Sequence, residues 1–195
     1  MLTFKNRNIA AIGEAMIELA PQASGDYRRG FAGDTFNTLW HMTQLMKGEG
    51  WTRFVTRIGQ DALSESFATE LISSGIDTAG VSRDLVRTMG LYLIELKNAE
   101  RSFHYWRGQS AAKLLAADAN FLAASLTGCG LIHLSGITLA ILSEEDRGRL
   151  FEVLSACRKN GALVSFDPNI RPRLWNSPDE IRSTLSCMLS LTDIA

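Results

Sequence analysis

Strand-like and helix-like segments alternate along most of this chain, and that alternation restricts the fold more than any other feature. A strand, a helix and a second strand bury one another's apolar faces when the strands run parallel and the helices cover the sheet. Residues 8–13 form a short β-rich run, and residues 15–19 continue it as extended chain. Between 36 and 47, Phe36, Leu39, Trp40, Thr43 and Met46 recur at helical spacing, and Gly48 closes the segment. Residues 53–58 read as the next strand. Asp61 then predicts a helix cap ahead of the inward-facing Leu63, Phe67 and Leu71, with Gly75 beyond the end.

The alternation breaks once and then resumes. Residues 89–96 and 101–106 are two strand-like runs joined by the short polar loop Lys97, Asn98, Ala99 and Glu100, which predicts an antiparallel hairpin. Residues 131–134 follow as a buried strand, then a helix over 143–160 with Ser143 and Asp146 as a capping signature, then a strand over 162–166. The last helix is the most clearly announced. Ser177 caps it, Pro178 takes its first position, Glu180 completes a capping box, and Ile181, Leu185 and Met188 mark its buried side. Residues 192–195 read as the approach to a further strand. The expected class is α/β, a mostly parallel, helix-flanked sheet carrying a small β appendage.

Composition excludes several partners. The formal net charge of -1 provides no basic surface for nucleic acid or for an acidic membrane. The longest apolar stretch, 130–142, is interrupted by His133, Ser135, Gly136 and Thr138, so no membrane helix is expected. Glu14 and Glu18 break what would otherwise resemble a signal segment. Cys129, Cys157 and Cys187 are widely spaced, which suits buried thiols of a cytoplasmic enzyme better than a disulfide framework or a metal site. No metal ligands are assigned.

Three segments could carry chemistry. The first, residues 28–38, places Gly30 and Gly33 directly before a helix, with Asp34 and Asn37 at its start. Glycines let a ligand approach the backbone, and free N–H groups at a helix start, joined by an acid and an amide, suit sugar hydroxyls. A plain turn capped by Asp34 would explain the same residues. The second is the hairpin with Tyr92, Tyr105, Trp106 and Arg107: aromatic rings pack on sugar faces, and an arginine at the strand end forks onto a carboxylate. Ordinary β-propensity accounts for the aromatics equally. The third is the loop 167–175, where Asp167, Asn169, Arg171 and Arg173 follow a core strand. Ligands gather at the carboxyl ends of parallel strands. Neither a GxxxxGK[ST] phosphate loop nor a GxGxxG fingerprint occurs, and His133 with Ser135 does not sit in a GxSxG elbow.

Taken in order, these segments resemble the ribokinase-like sugar kinases, and within them the 2-keto-3-deoxygluconate branch. The resemblance is carried by IGEAMIEL at 12–19, RGFAGDTFNT at 29–38, RIGQD at 57–61, Gly90 to Tyr92, FHYWR at 103–107, LSGI at 134–137 and DPNIRPRLW at 167–175. It implies a Rossmann-like domain with a β lid formed around 14–32 and 88–107, and phosphorylation of a sugar acid by ATP with magnesium. Gly33, Asp34 and Asn37 would bind sugar hydroxyls, Tyr92 and Tyr105 would close over the substrate, and Arg107 and Arg171 would hold its carboxylate. Asp167 and Asn169 would sit near the phosphate path.

The resemblance also implies a later NxxE segment and a GAGD-like turn bearing the catalytic base, and neither motif occurs within these residues. The expectation is therefore a sugar-holding part of a kinase domain, incomplete at its C-terminus and inactive alone. A non-catalytic sugar-binding protein, a neutral-sugar kinase, and a homodimer through the β lid all stay open.

Overall fold

The computed structural model describes residues 4–97 and 100–195. In chain order it comprises β1 (Ile9–Ile12), β2 (Met16–Pro21), β3 (Tyr27–Ala32), α1 (Asp34–Met46), β4 (Thr52–Ile58), α2 (Ala62–Ser73), β5 (Ile76–Asp77) and β6 (Val81–Arg83). Then follow β7 (Gly90–Lys97), β8 (Glu100–Trp106), α3 (Ala119–Ser125), β9 (Leu131–Ser135), α4 (Gly136–Ile141), α5 (Glu144–Lys159), β10 (Leu163–Asp167) and α6 (Pro178–Leu189). Short 3-10 turns occupy Ala111–Leu114 and Pro172–Leu174.

Six strands build a parallel sheet in the order β10-β9-β1-β4-β5, with β6 also pairing with β4. Its central strands β1 and β9 are near-continuous apolar runs because both faces are covered. On β1, Ala10 and Ile12 enter one core with Leu134, Leu139, Leu150 and Phe166, while Ala11 enters the other with Phe36, Leu39 and Phe67. Phe36, Phe54 and Phe67 pack mutually with ring centroids 5.2–6.1 Å apart, which seats α1 and α2 on the sheet. The register places Ile12 level with Leu134 and Leu134 level with Phe166. Gly13, Gly136 and Pro168 therefore leave the sheet on one edge.

The second sheet has four strands in the order β3-β2-β7-β8, with β2 and β7 parallel and the outer pairs antiparallel. The expected hairpin is β7 and β8, with Tyr92 opposite Tyr105; its tip, Asn98 and Ala99, lies outside the described residues. The reading of 15–19 as a continuation of the first strand is corrected: the chain leaves the large sheet at Gly13 and starts the small one at Met16. The turn between them buries Glu14, a polar residue that has no place inside the large parallel sheet.

The predicted caps form. Asp61 Oδ1 accepts from the N–H groups of Leu63 and Ser64 at 3.0 and 3.1 Å, and Ser143 and Ser177 each accept from the third residue on, at 3.1 Å. The capping box at α6 is only half made. Glu180 turns its carboxylate to the Asn176 N–H at 2.9 Å and to Arg147 Nη2 at 2.6 Å instead of to Ser177. A buried guanidinium outcompetes a solvent-facing backbone donor for the same carboxylate. Short elements that periodicity does not announce are β5, β6, α3 and α4, whereas β3 falls within the span 14–32 expected for the lid. The final residues do run beside β10, where the Phe166 N–H donates to the Ile194 carbonyl at 2.8 Å in a parallel bridge.

Candidate functional site

The site is built where β1, β9 and β10 end. Gly33 caps α1 in an extended conformation, φ -174° and ψ 148°. It is required there for space, since a Cβ at this residue would run into the Glu14 carbonyl oxygen. Asp34 is the first residue of α1 rather than its cap; its Oδ1 accepts from the Thr35 N–H at 2.9 Å. Asn37, one turn on, is exposed and aims its Oδ1 at the Gly33 N–H, 3.5 Å away.

The loop after β10 meets this helix start. Asn169 adopts φ 28°, in the left-handed region, and its Nδ2 donates to Asp34 Oδ2 at 2.7 Å. Asp167 Oδ1 accepts from the Asn169 N–H at 3.0 Å and holds that turn. Behind it, the Pro168 carbonyl oxygen abuts Gly136, leaving no room for a side chain at the start of α4. Gly33, Asp34, Asn37, Asp167 and Asn169 are thus one cluster. His133, on β9, is buried with Nδ1 3.2 Å from Ser165 Oγ. Burial pushes its pKa down, against the opposing pull of Asp34 and Asp167, so the imidazole is neutral near pH 7. Ser135 is a helix cap in a reciprocal box with Thr138 and is no nucleophile.

The small sheet supplies a second wall. The Tyr92 and Tyr105 rings pack at 5.8 Å, with Phe103 beside both. Tyr92 is buried and donates its hydroxyl to Glu18, and burial together with that carboxylate raises its pKa. Arg107 pairs with the buried Glu14. Arg173, from the turn after β10, stacks its guanidinium 4.3 Å from the centre of the Tyr105 ring. A cleft of about 490 Å³ opens here, lined by Tyr105, Trp106, Arg107, Arg173 and Leu174 among others. Arg171 stands apart from both clusters, exposed, its Nη1 3.4 Å from the Ile170 carbonyl oxygen.

Sequence reasoning under-weighted Glu14 and did not assign Glu18. The available signal was an acid set inside an otherwise apolar run at 12–19.

The pfkB family carbohydrate kinase pattern matches residues 6–195. The chain belongs to this family of kinases. A 2-dehydro-3-deoxygluconokinase of Dickeya dadantii (strain 3937) is 44% identical over an alignment of 198 residues that covers 97% of this chain and 62% of that protein. Among solved structures, a fructokinase with bound ATP from Xylella fastidiosa superposes with a TM-score of 0.82 at 25% identity, covering 96% of this chain and 60% of that one. A 2-dehydro-3-deoxygluconokinase from Thermotoga maritima superposes at 0.83 with 24% identity, covering 96% and 58%, a likeness of fold. The chain thus spans about 62% of the length of the curated relatives it matches.

A kinase of the pfkB family implies ATP and a divalent metal. Among the described residues no group of three or more His, Cys, Asp or Glu side chains gathers to hold an ion by itself. The two walls bring together an acceptor at Asp34, an amide at Asn37, two packed tyrosines and two nearby guanidinium groups, those of Arg107 and Arg173. No described helix is long and apolar enough to cross a membrane.

Proposed function

We propose that this chain is the sugar-holding part of an ATP-dependent kinase that phosphorylates 2-keto-3-deoxygluconate on its terminal hydroxyl, giving the 6-phosphate. The observation that carries the reading is the double engagement of the loop 167–175. Its Asn169 bonds Asp34 on the wall of acceptors, and its Arg173 stacks on Tyr105 of the aromatic wall. A ligand between the two walls meets hydroxyl acceptors on one side and rings with guanidinium groups on the other. In this reading Gly33, Asp34 and Asn37 hold hydroxyls, and Tyr92 and Tyr105 form the inner face of a lid made by β2, β3, β7 and β8. Arg107 and Arg171 face the carboxylate. Asp167 and Asn169 lie toward the phosphate path.

Sugar acid is favoured over neutral sugar by charge. Among the described residues Arg173, exposed and lining the cleft, has no acidic partner, and such a guanidinium matches a carboxylate. The 44% identity to a 2-dehydro-3-deoxygluconokinase supports the same substrate. ATP with magnesium would supply the transferred phosphoryl group. The residues of this chain bind and orient the acceptor, and the base and phosphate-stabilising groups are not assigned among them. Phosphoryl transfer depends on positioning and charge stabilisation, so a chain with the first and not the second binds without turning over.

The test is calorimetric titration of the chain with 2-keto-3-deoxygluconate and with fructose, followed by an ATP-consumption assay. We expect the acid to bind, fructose to bind more weakly, and no ATP to be consumed. In the R107A/R171A variant the acid should lose much more affinity than fructose. Equal losses for the two sugars would reject the carboxylate assignment. We also propose that two chains pair through the small sheet, which exposes Tyr27, Leu96, Phe103 and Trp106. Sedimentation of a Trp106→Lys variant as a monomer, against a dimeric parent, is the expected outcome.

A further inference from the structure

Four chain crossings connect the small sheet to the large one, and Glu14 touches all of them. It lies in the first, between β1 and β2. Its carbonyl oxygen packs against Gly33, in the crossing from β3 to α1. Its Oε1 lies 2.9 Å from where a Cβ on Gly90 would stand, in the crossing into β7. Its carboxylate pairs with Arg107, which follows β8. The side chain is 1% exposed, and that of Arg107 13%.

The charged and polar groups facing it are few. Arg107 and Lys113 attract it, and the Ser110 hydroxyl lies close enough to favour its ionised form although no aligned hydrogen bond joins them. Glu14 Oε1, Arg107 Nε and Ser110 Oγ are all buried and have no hydrogen-bond partner among the described residues. Such atoms are uncommon in a packed interior, and a group of them marks a junction held for something other than stability. Burial raises the Glu14 pKa, in keeping with a carboxylate that Arg107 stabilises only in part.

We infer that Glu14 is the positioning residue of Arg107: it holds the guanidinium at the crossings by Nη2 and leaves the other edge to meet an anionic ligand. A ligand does not pull Arg107 away, because that would strand a buried carboxylate without a partner. Arg107 therefore offers one prong, through Nη1, which has no protein partner among the described residues. The two-pronged fork expected from the sequence is replaced by a fixed single donor. Because the same pair spans the crossings, the posture of the small sheet and the aim of Arg107 are set together.

The inference rests on the sugar-acid reading, and its test separates the two. Affinities for 2-keto-3-deoxygluconate and fructose are measured by calorimetry for the parent chain, E14A, E14Q, R107A and E14A/R107A. We expect E14A and R107A each to weaken the acid by about tenfold or more, and the double variant to be no worse than R107A. Fructose affinity should hold. E14Q, whose amide oxygen still accepts from Nη2, should stay within about threefold of the parent. Additive losses, or equal losses for fructose, would overturn the inference and leave Glu14 a packing residue. If E14A does not fold, E14D takes its place: its shorter side chain should lose the affinity that E14Q keeps, and the opposite order overturns the inference. Should the parent bind neither sugar, the functional reading fails by itself. Amide hydrogen exchange at Gly33 and Gly90 then decides the Glu14–Arg107 coupling: equal, non-additive increases in E14A and R107A sustain it, and additive increases reject it.

Discussion

The bond between Asn169 and Asp34 is the smallest unit on which the site depends. Two residues 135 apart in sequence meet at 2.7 Å, and the amide fixes which way the Asp34 carboxylate faces. Asn169 tolerates its φ of 28° better than most residues do, because asparagine visits the left-handed region readily. Replacement by glycine keeps that backbone and removes only the amide. N169G should lower stability by about 1–2 kcal/mol in chemical denaturation and weaken sugar binding. Retained affinity in N169G would show that the loop is held by its backbone alone. A second residue-scale case is Gly136, against which the Pro168 carbonyl is pressed. G136A should destabilise the chain by about 1–3 kcal/mol through overpacking and displace the same loop. Affinity and denaturation midpoint should fall together there.

Helices are placed by their caps and held by what they cover. Asp61 caps α2 with one oxygen and bonds Ser64 Oγ with the other at 2.8 Å, while Ser64 Oγ accepts from the Gly59 N–H at 3.0 Å. Ser177 makes a single bond to the Glu180 N–H. D61A should therefore cost more than S177A, about 2 against about 1 kcal/mol by equilibrium unfolding. Equal costs would mean that the Gly59–Ser64 turn stands without the aspartate. Glu180 belongs to a different contact from the one its spacing suggests. It clamps α6 to α5 through Arg147, whose guanidinium also bonds Thr184 Oγ1 at 3.2 Å and lies over the Trp175 ring.

For the molecule as a whole, acid stability should depend on two clamps near the C-terminal strand. The Arg158 guanidinium holds the Asp193 pKa below the ordinary carboxylate value, and Arg147 does the same for Glu180. With folded values depressed, the unfolded chain takes up protons first. The stability these groups contribute is present above pH about 4 and is lost as pH falls through the folded values. Glu14 acts with the opposite sign. Its folded pKa is raised by burial, so its contribution is greatest below the unfolded value and is lost as pH rises through the folded one. Urea midpoints measured from pH 3 to 7 should show R158A with a shallower acid limb than the parent. E14Q should lack the decline above pH about 4.5 that Glu14 imposes. An unchanged acid limb in R158A would remove Asp193 from the account.

What the sequence determined by itself is local. Periodicity at 36–47, the Asp61, Ser143 and Ser177 caps, and the strand-like runs of β4, β9 and β10 follow from contacts within a few residues, and the parallel class follows from their alternation. The glycine-rich segment and the loop 167–175 were legible as turns at strand ends for the same reason, and the structure brings the two together through Asp34 and Asn169. Only the tertiary structure decided that residues 16–21 leave the first sheet for a second, that Arg107 is held by Glu14 at 93 residues' separation, and that Arg173 rather than Arg171 reaches Tyr105. Those pairings depend on where parallel crossovers deliver distant strand ends, and on which buried charge a low-dielectric interior forces together, and neither is encoded in any short stretch of the chain.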